Sequence, residues 1–217
     1  METQKKSLVA LTALVLVATV AMAQKKTRLP IWEDRKGCVR AQGNLAAGYL
    51  FQQRQVAAYL TGDIDLFVDR RVSVNGQVWG SVATTAKDKP GIRANHSVMW
   101  GMNYHLTKKG RFDPYAGLTV GAGLVRTNYS NGETIERSPF SLVPLLSAQV
   151  GMNYYVGSIF HFFAKVQGVS GVFFTGVPKA SRLEELKFTA GLGWNLRLWK
   201  PKKPDNAPLP VLYKGRG

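Results

Sequence analysis

The 217-residue chain has one cysteine, Cys38, and three histidines. A single thiol closes no internal disulfide, and no apolar run precedes it of the kind that marks a lipidated cysteine, so a spare thiol is the plain reading. The sequence contains no Gly-Lys-Ser/Thr phosphate loop, no nucleophile elbow and no metal-ligand cluster, so neither cofactor nor metal is expected. Past residue 23 every apolar run is broken within a few residues by Gly, Asn, Gln or a charge. That excludes a later spanning helix, which needs ~20 apolar residues. Acids are scarce: 13 Asp and Glu stand against 29 Lys and Arg, giving a formal charge of +16 and a pI of about 10.1. In a cytoplasmic chain this balance would suggest nucleic acid.

Export argues against that partner. Lys5 and Lys6 form a positive start, Leu8 to Val20 an apolar core, and Ala21-Met22-Ala23 a small-x-small cleavage site before Gln24. Residues 1–23 therefore match a secretory signal peptide. The alternative, a single-pass anchor, is opposed by a core shorter than the ~20 residues that span a bilayer. Residues 24–217 suffice for one domain.

Four runs open on glycine and close on bulky apolar residues: Gly62–Val68, Gly101–Leu106, Gly151–Val156 and Gly193–Trp199. Their spacing suits one β-hairpin plus the connection to the next, and so eight strands. Parity then sorts the side chains, because successive residues of a strand point to opposite faces. In the last strand Leu186, Phe188, Ala190, Leu192, Trp194, Leu196 and Leu198 share one face, opposite Lys187, Thr189, Gly191, Gly193, Asn195 and Arg197. The runs beginning near residues 39, 60, 72, 97, 116 and 142 follow the same rule. The run at 160–167 is ambiguous, since Phe160, Phe162 and Phe163 crowd it, although Lys165 and Gln167 share a parity. An apolar face with a polar or glycine face behind it fits a barrel whose outside meets lipid. The expected fold is all-β: an eight-stranded antiparallel up-and-down transmembrane β-barrel over residues 38–199.

Connections at 69–71, 107–111 and 157–158 are short, whereas those at 86–91, 126–139 and 175–182 are longer and richer in Asn, Gly, Ser and Pro. Outer-membrane barrels have short periplasmic turns and longer external loops, which places both termini in the periplasm. Three basic clusters then share that side: one within segment 24–37, a second at Lys108, Lys109 and Arg111, and a third at Lys200, Lys202 and Lys203 in the Pro-rich tail 200–217. Trp100, Tyr104, Tyr115, Tyr154, Tyr155, Trp194 and Trp199 are the candidate interfacial girdle. The inward parity collects Arg40, Lys165, Lys187 and Arg197 with Asp63 and Asp65. Charges in so narrow a tube must pair, which predicts a salt-bridged plug rather than a gated ion path.

The stretch Asp113-Pro114-Tyr115-Ala116-Gly117-Leu118 through Gly123, together with the repeated Gly-x-Asn strand ends, resembles the small outer-membrane barrels of the OmpA, OmpX and OmpW type, in the form common among Bacteroidetes. The resemblance runs from about Gly37 to Trp199. It implies a location in the cell outer membrane, contact with outer-membrane lipid and lipopolysaccharide, and insertion by the barrel-assembly machinery. One departure stands out: such barrels often end on an aromatic residue, whereas here Trp199 is followed by the tail. That tail is either a free end or a docking segment for a periplasmic partner or cell-wall polymer. A few barrels of this size are lipid-modifying enzymes, and the His96-Ser97 pair invites that idea. Parity opposes it, because it turns His96 to lipid and Ser97 to the lumen. The expected function is a non-enzymatic barrel with a structural, adhesive or envelope-organising role. The alternatives are an accessory subunit of a secretion or surface-assembly complex, a narrow channel, and a lipid A-modifying enzyme.

Overall fold

A computed structural model of the chain describes residues 31–85, 89–130, 133–173 and 182–198. The proposed signal peptide, Trp199 and the basic residues Lys200, Lys202 and Lys203 lie outside them. Among the described residues nine strands follow in order: β1 Cys38–Leu50, β2 Gln55–Phe67, β3 Val72–Thr84, β4 Gly91–His105, β5 Phe112–Ser130, β6 Ile135–Arg137, β7 Ser141–Tyr155, β8 Phe160–Val172 and β9 Arg182–Arg197. All pair antiparallel with their neighbours. β1 also pairs with β9, so the sheet closes, and β6 only extends the far end of β5. The result is an eight-stranded up-and-down barrel.

The register fixes its dimensions. Following paired residues once around the wall leads from Val39 through Leu66, Val74, Met102, Leu118, Ala148, Gly168 and Leu186 back to β1 at Tyr49, a stagger of ten residues. With eight strands ~4.8 Å apart, this stagger tilts the strands by roughly 40° and leaves a radius of roughly 8 Å, which side chains can fill.

Alternation of exposure follows parity. Leu60, Ile64, Val78, Val98, Met102, Leu118, Leu146, Val150 and Phe188 all stand outward, between 51 and 65% exposed. On β7 the apolar band runs from Leu142 to Tyr154, which at ~3.4 Å per residue and this tilt spans roughly 30 Å, the thickness of a bilayer core. The crowded run at 160–167 resolves with Phe160 and Phe162 outward and His161, Phe163, Lys165 and Gln167 inward.

The structure refines the reading at three points. The connection placed at 126–139 is largely strand: β5 continues to Ser130 and folds back through β6, with Tyr129 Oη donating to Glu136 Oε2 at 2.7 Å. The opening glycines are not equivalent. A Cβ on Gly151 would lie 2.6 Å from the Tyr115 ring, and one on Gly193 would lie 2.3 Å from His161, so both make room for lumenal rings. Gly62 instead shares the outward parity of Leu60 and Ile64. Finally, the inward face is not polar throughout. Toward the loop end Leu50, Tyr59, Trp79, Ile92, Met99, Val125, Val143, Leu145, Val169 and Leu183 form an apolar core inside the barrel.

A charge on the outer belt would be expensive. Leu146→Arg, near the middle of β7, is expected to lower stability in lipid vesicles by ~2–4 kcal/mol, measured by urea-induced unfolding; an unchanged midpoint would contradict a lipid-facing β7.

Candidate functional site: the filled lumen

At the terminal end of the barrel two carboxylates organise the interior. Asp65 accepts from Arg40 Nε and Nη2 at 3.1 and 2.7 Å, from Asn103 Nδ2 at 2.8 Å, from Asn75 Nδ2 at 3.0 Å and from Ser73 Oγ at 3.2 Å. Asp113 pairs with Arg35 Nη1 at 2.8 Å and with Arg40 Nη1 at 3.6 Å, and accepts from Asn153 Nδ2 and Tyr155 Oη, each at 3.2 Å. Arg35, Asp113, Arg40 and Asp65 thus form a chain of alternating sign, all of it buried. Desolvating a lone ion costs several kcal/mol, so each charge is held by two or more partners.

Above this chain, Lys165 Nζ donates to Asp63 Oδ1 at 2.5 Å. Amides fill the remaining section: Gln77 Nε2 donates to Gln149 Oε1 at 2.6 Å, Gln149 Nε2 to Asn103 Oδ1 at 2.7 Å, and Gln167 Nε2 to Gln77 Oε1 at 2.8 Å. These contacts join β3, β4, β7 and β8 across the axis.

The proposed charge network therefore divides. Arg40 with Asp65 and Lys165 with Asp63 lie inside as bonded pairs. Lys187 sits higher, 3.4 Å from Glu185, with its Nζ 3.2 Å from the Trp79 ring centroid and 4.5 Å from that of Tyr59. Arg197 is not in the network: it lies half-buried at the terminal rim, where Nη2 donates to the Asp34 carbonyl. Its place at the strand end carries it past the lumenal layer that Asp63 and Asp65 occupy.

The girdle divides as well. Tyr104 and Tyr154 stand outward at the terminal rim, and Trp194 packs edge-on against Phe160 there. Trp100 is outward but lies five residues inside the β4 end at His105, within the belt. Tyr115 and Tyr155 are not girdle residues. Both are inside the lumen, where Arg40 lies 5.5 Å from the Tyr115 ring centroid. Their odd parity in β5 and β7 already opposed an outward placement. Lys108, Lys109 and Arg111 lie in the β4–β5 turn at the terminal end, with Arg111 over the Trp32 ring at 5.1 Å.

The segment before β1 caps this end. Gly110 N donates to Trp32 O at 2.8 Å, and Ile31, Cys38, Phe67 and Tyr155 pack together beneath it. Arg35 reaches down from the segment: besides pairing with Asp113, it donates through Nη1 to the Thr107 carbonyl at 2.8 Å and through Nη2 to Thr107 Oγ1 at 3.2 Å. Its side chain has no solvent exposure.

One further constellation carries no sequence motif. His105 Nδ1 lies 2.9 Å from Asp113 Oδ2, and its Nε2 lies 3.1 Å from Ser73 Oγ. The order matches the acid, base and hydroxyl of a nucleophilic relay. Ser73, however, has one proton for two acceptors, since Asp65 Oδ1 competes at 3.2 Å. The ring is also flanked by Phe67 and Tyr115, at centroid distances of 4.7 and 5.5 Å, and all three relay residues are fully buried. The Ser73 hydroxyl is sealed from solvent within the described residues. His96 points outward and Ser97 inward, so that pair forms no site. The signal for the relay was parity alone: Ser73, His105 and Asp113 are inward on three consecutive strands.

Removing one member of a buried pair leaves the other unpaired. Lys165→Met is expected to cost ~3–5 kcal/mol, and the double variant Asp63→Leu/Lys165→Met to recover most of that loss. Urea unfolding in vesicles measures both. Equal losses in the single and double variants would show that the pair is not coupled.

No protein-family model matches the chain, and no curated protein matches it in sequence. Among solved structures, the fold is similar to that of Neisserial surface protein A (TM-score 0.54, 12% identity, covering 74% of this chain and 96% of that one). It is also similar to Ail, the attachment invasion locus protein of Yersinia pestis (0.51, 11%, 74% and 99%), and to the outer membrane protein OprG of Pseudomonas aeruginosa (0.50, 12%, 75% and 97%). At these identities the likeness concerns architecture: a small membrane barrel of eight strands.

Proposed function

We propose that the protein is a non-enzymatic integral outer-membrane barrel with a structural, adhesive or envelope-organising role. Its lumen is closed and its two ends carry the contacts. The observation behind this reading is the filled interior. From the Arg35 cap, through the Arg40, Asp65 and Asp113 network and the amide layer, to the apolar core around Trp79 and Leu145, each level of the axis is occupied by packed side chains. Such a tube offers ions no wide aqueous path and offers a substrate no access to the buried His105 relay.

The termini and short turns lie in the periplasm in this reading, as do the bases of the terminal rim. The β5–β6 hairpin then stands outside the cell. Its described part is stitched by Ser138 N to Thr127 O at 2.9 Å and Thr127 N to Ser138 Oγ at 3.0 Å, and so suits contact with other surfaces. Insertion by the barrel-assembly machinery, lipid and lipopolysaccharide contact, and the kinship with the Bacteroidetes form of the OmpA, OmpX and OmpW type belong to the same proposal. So does docking of 200–217 to a periplasmic partner or cell-wall polymer. A role in a secretion or surface-assembly complex would use that tail, since β1 and β9 end side by side at the basic rim, with Leu198 N donating to Gly37 O at 3.0 Å.

In planar bilayers the purified full chain should show no discrete conductance; steady single-channel steps would overturn the closed-lumen reading. The topology has a separate readout. On intact cells a membrane-impermeant maleimide should label Thr134→Cys but reach Lys108→Cys only after permeabilisation, with little background from the buried Cys38. The opposite pattern would invert the barrel.

A further inference from the structure

We propose that the outer wall between β3 and β8 holds a single phospholipid, with its phosphate at Arg71 and one acyl chain in the groove beside it. The proposal rests on the barrel being embedded in a membrane and adds a specific ligand to that reading.

The wall is not evenly covered. A groove of about 840 Å³ crosses β4, β5, β7 and β8, a size within the ~300–1,000 Å³ of ligand clefts. Its floor is made by small residues: Ala148 faces Gly168 across β7 and β8, Leu118 pairs with Ala148, and Ala116 lies one row nearer the terminal rim, opposite Val150. Trp100, Met102 and Tyr104 on β4 stand up as one bank. The lining is almost wholly apolar, so a hydrocarbon chain fits it and a polar ligand does not.

The groove reaches the terminal rim at Val72, which pairs with Tyr104. Arg71 is the next residue. Its Nη1 donates to Tyr104 Oη at 2.9 Å and its guanidinium lies 5.9 Å from the ring centroid, which holds the side chain at the mouth of the groove. The Nε is buried and has no hydrogen-bond partner among the described residues. The neighbouring Arg70 is paired with Asp34 at 3.4 Å; Asp69 Oδ1 accepts from the Arg71 backbone N at 3.3 Å, but among the described residues no carboxylate is ion-paired with the Arg71 guanidinium. A guanidinium presents its donors in a planar fork that matches phosphate oxygens. An uncompensated arginine at the headgroup level, anchored by a girdle tyrosine at the end of an apolar groove, therefore has the two-part chemistry of a phospholipid. A second copy of this chain fits less well, because it would set one basic rim against another.

Native mass spectrometry tests the site, using the full chain folded in non-ionic detergent and supplied with 1-palmitoyl-2-oleoyl-phosphatidylglycerol. The wild type should retain one lipid. Ala148→Trp fills the groove from a lipid-facing position and should lower occupancy about tenfold; Arg71→Gln, which removes a charge-assisted contact, should lower it by a similar factor. Heat-dependent gel mobility and vesicle insertion report separately that each variant is a folded barrel. Insertion without lipid retention, or equal retention in all three proteins, overturns the lipid site and leaves the membrane reading standing. A dimer lost in Ala148→Trp would assign the groove to a second copy and overturn it too. Failure of the wild type to insert into vesicles overturns both.

Discussion

Closure of β9 onto β1 is the constraint from which the rest of the molecule follows. Once the sheet meets itself with a stagger of ten residues, no backbone edge remains to be satisfied in hydrocarbon, and the radius of the interior is set. The outer face is then solved simply, by apolar side chains of almost any shape. The inner face is a harder problem: every atom that enters must fit a narrow cylinder and find its polar partners there.

The chain solves that problem differently in the two halves of the lumen. Toward the termini it uses charge, with the alternating sequence Arg35, Asp113, Arg40 and Asp65 running along the axis and amides bonding whatever the ions leave open. Toward the loops it uses apolar volume, with Trp79, Met99, Val143 and Leu145 meeting as they would in the core of a soluble protein. Lys187 and Glu185 sit at the boundary. There the ammonium lies on the Trp79 and Tyr59 rings, which face it with their electron-rich surfaces and lessen the cost of its burial.

Strand parity made the architecture legible in the sequence. Leu186 to Leu198 needs no partner strand to declare which of its faces is greasy, because a strand has only two faces and a period of two. Parity does not tell which residues of different strands meet. Height along the axis depends on the stagger, which belongs to the whole barrel and to no single segment. Hence Lys187, inward like Lys165, was grouped with Asp63 and Asp65 but lies in a higher layer with Glu185. Arg197, also inward by parity, emerges at the rim. Asp113 was legible only as the start of a Pro-Tyr-x-Gly strand and Arg35 only as part of a basic flank, yet these two residues close the terminal end. The apolar outer lumen left a trace that alternation obscures: Val78-Trp79 and Val98-Met99 at the middle of β3 and β4, and Leu124-Val125 in the loop-side half of β5, are apolar on both faces.

The same division bears on where function can reside. Buried networks hold their members in one arrangement because each lost partner leaves a charge or a dipole unsatisfied. In the proposed reading the lumen serves as a strut, and the His105 relay lies within it fully buried. What remains free to act is the surface, and there chemistry is concentrated in two places: the β5–β6 hairpin beyond one edge of the belt and the arginine-rich rim at the other. Arg70 and Arg71 are adjacent in sequence but differ in setting: the Arg70 side chain is ion-paired with Asp34, whereas among the described residues Asp69 meets only the backbone N of Arg71 and its guanidinium rests on Tyr104. The unmatched charge of Arg71 meets the end of an apolar groove. A barrel with a solid interior can thus still discriminate among molecules, through the wall that it turns toward the membrane.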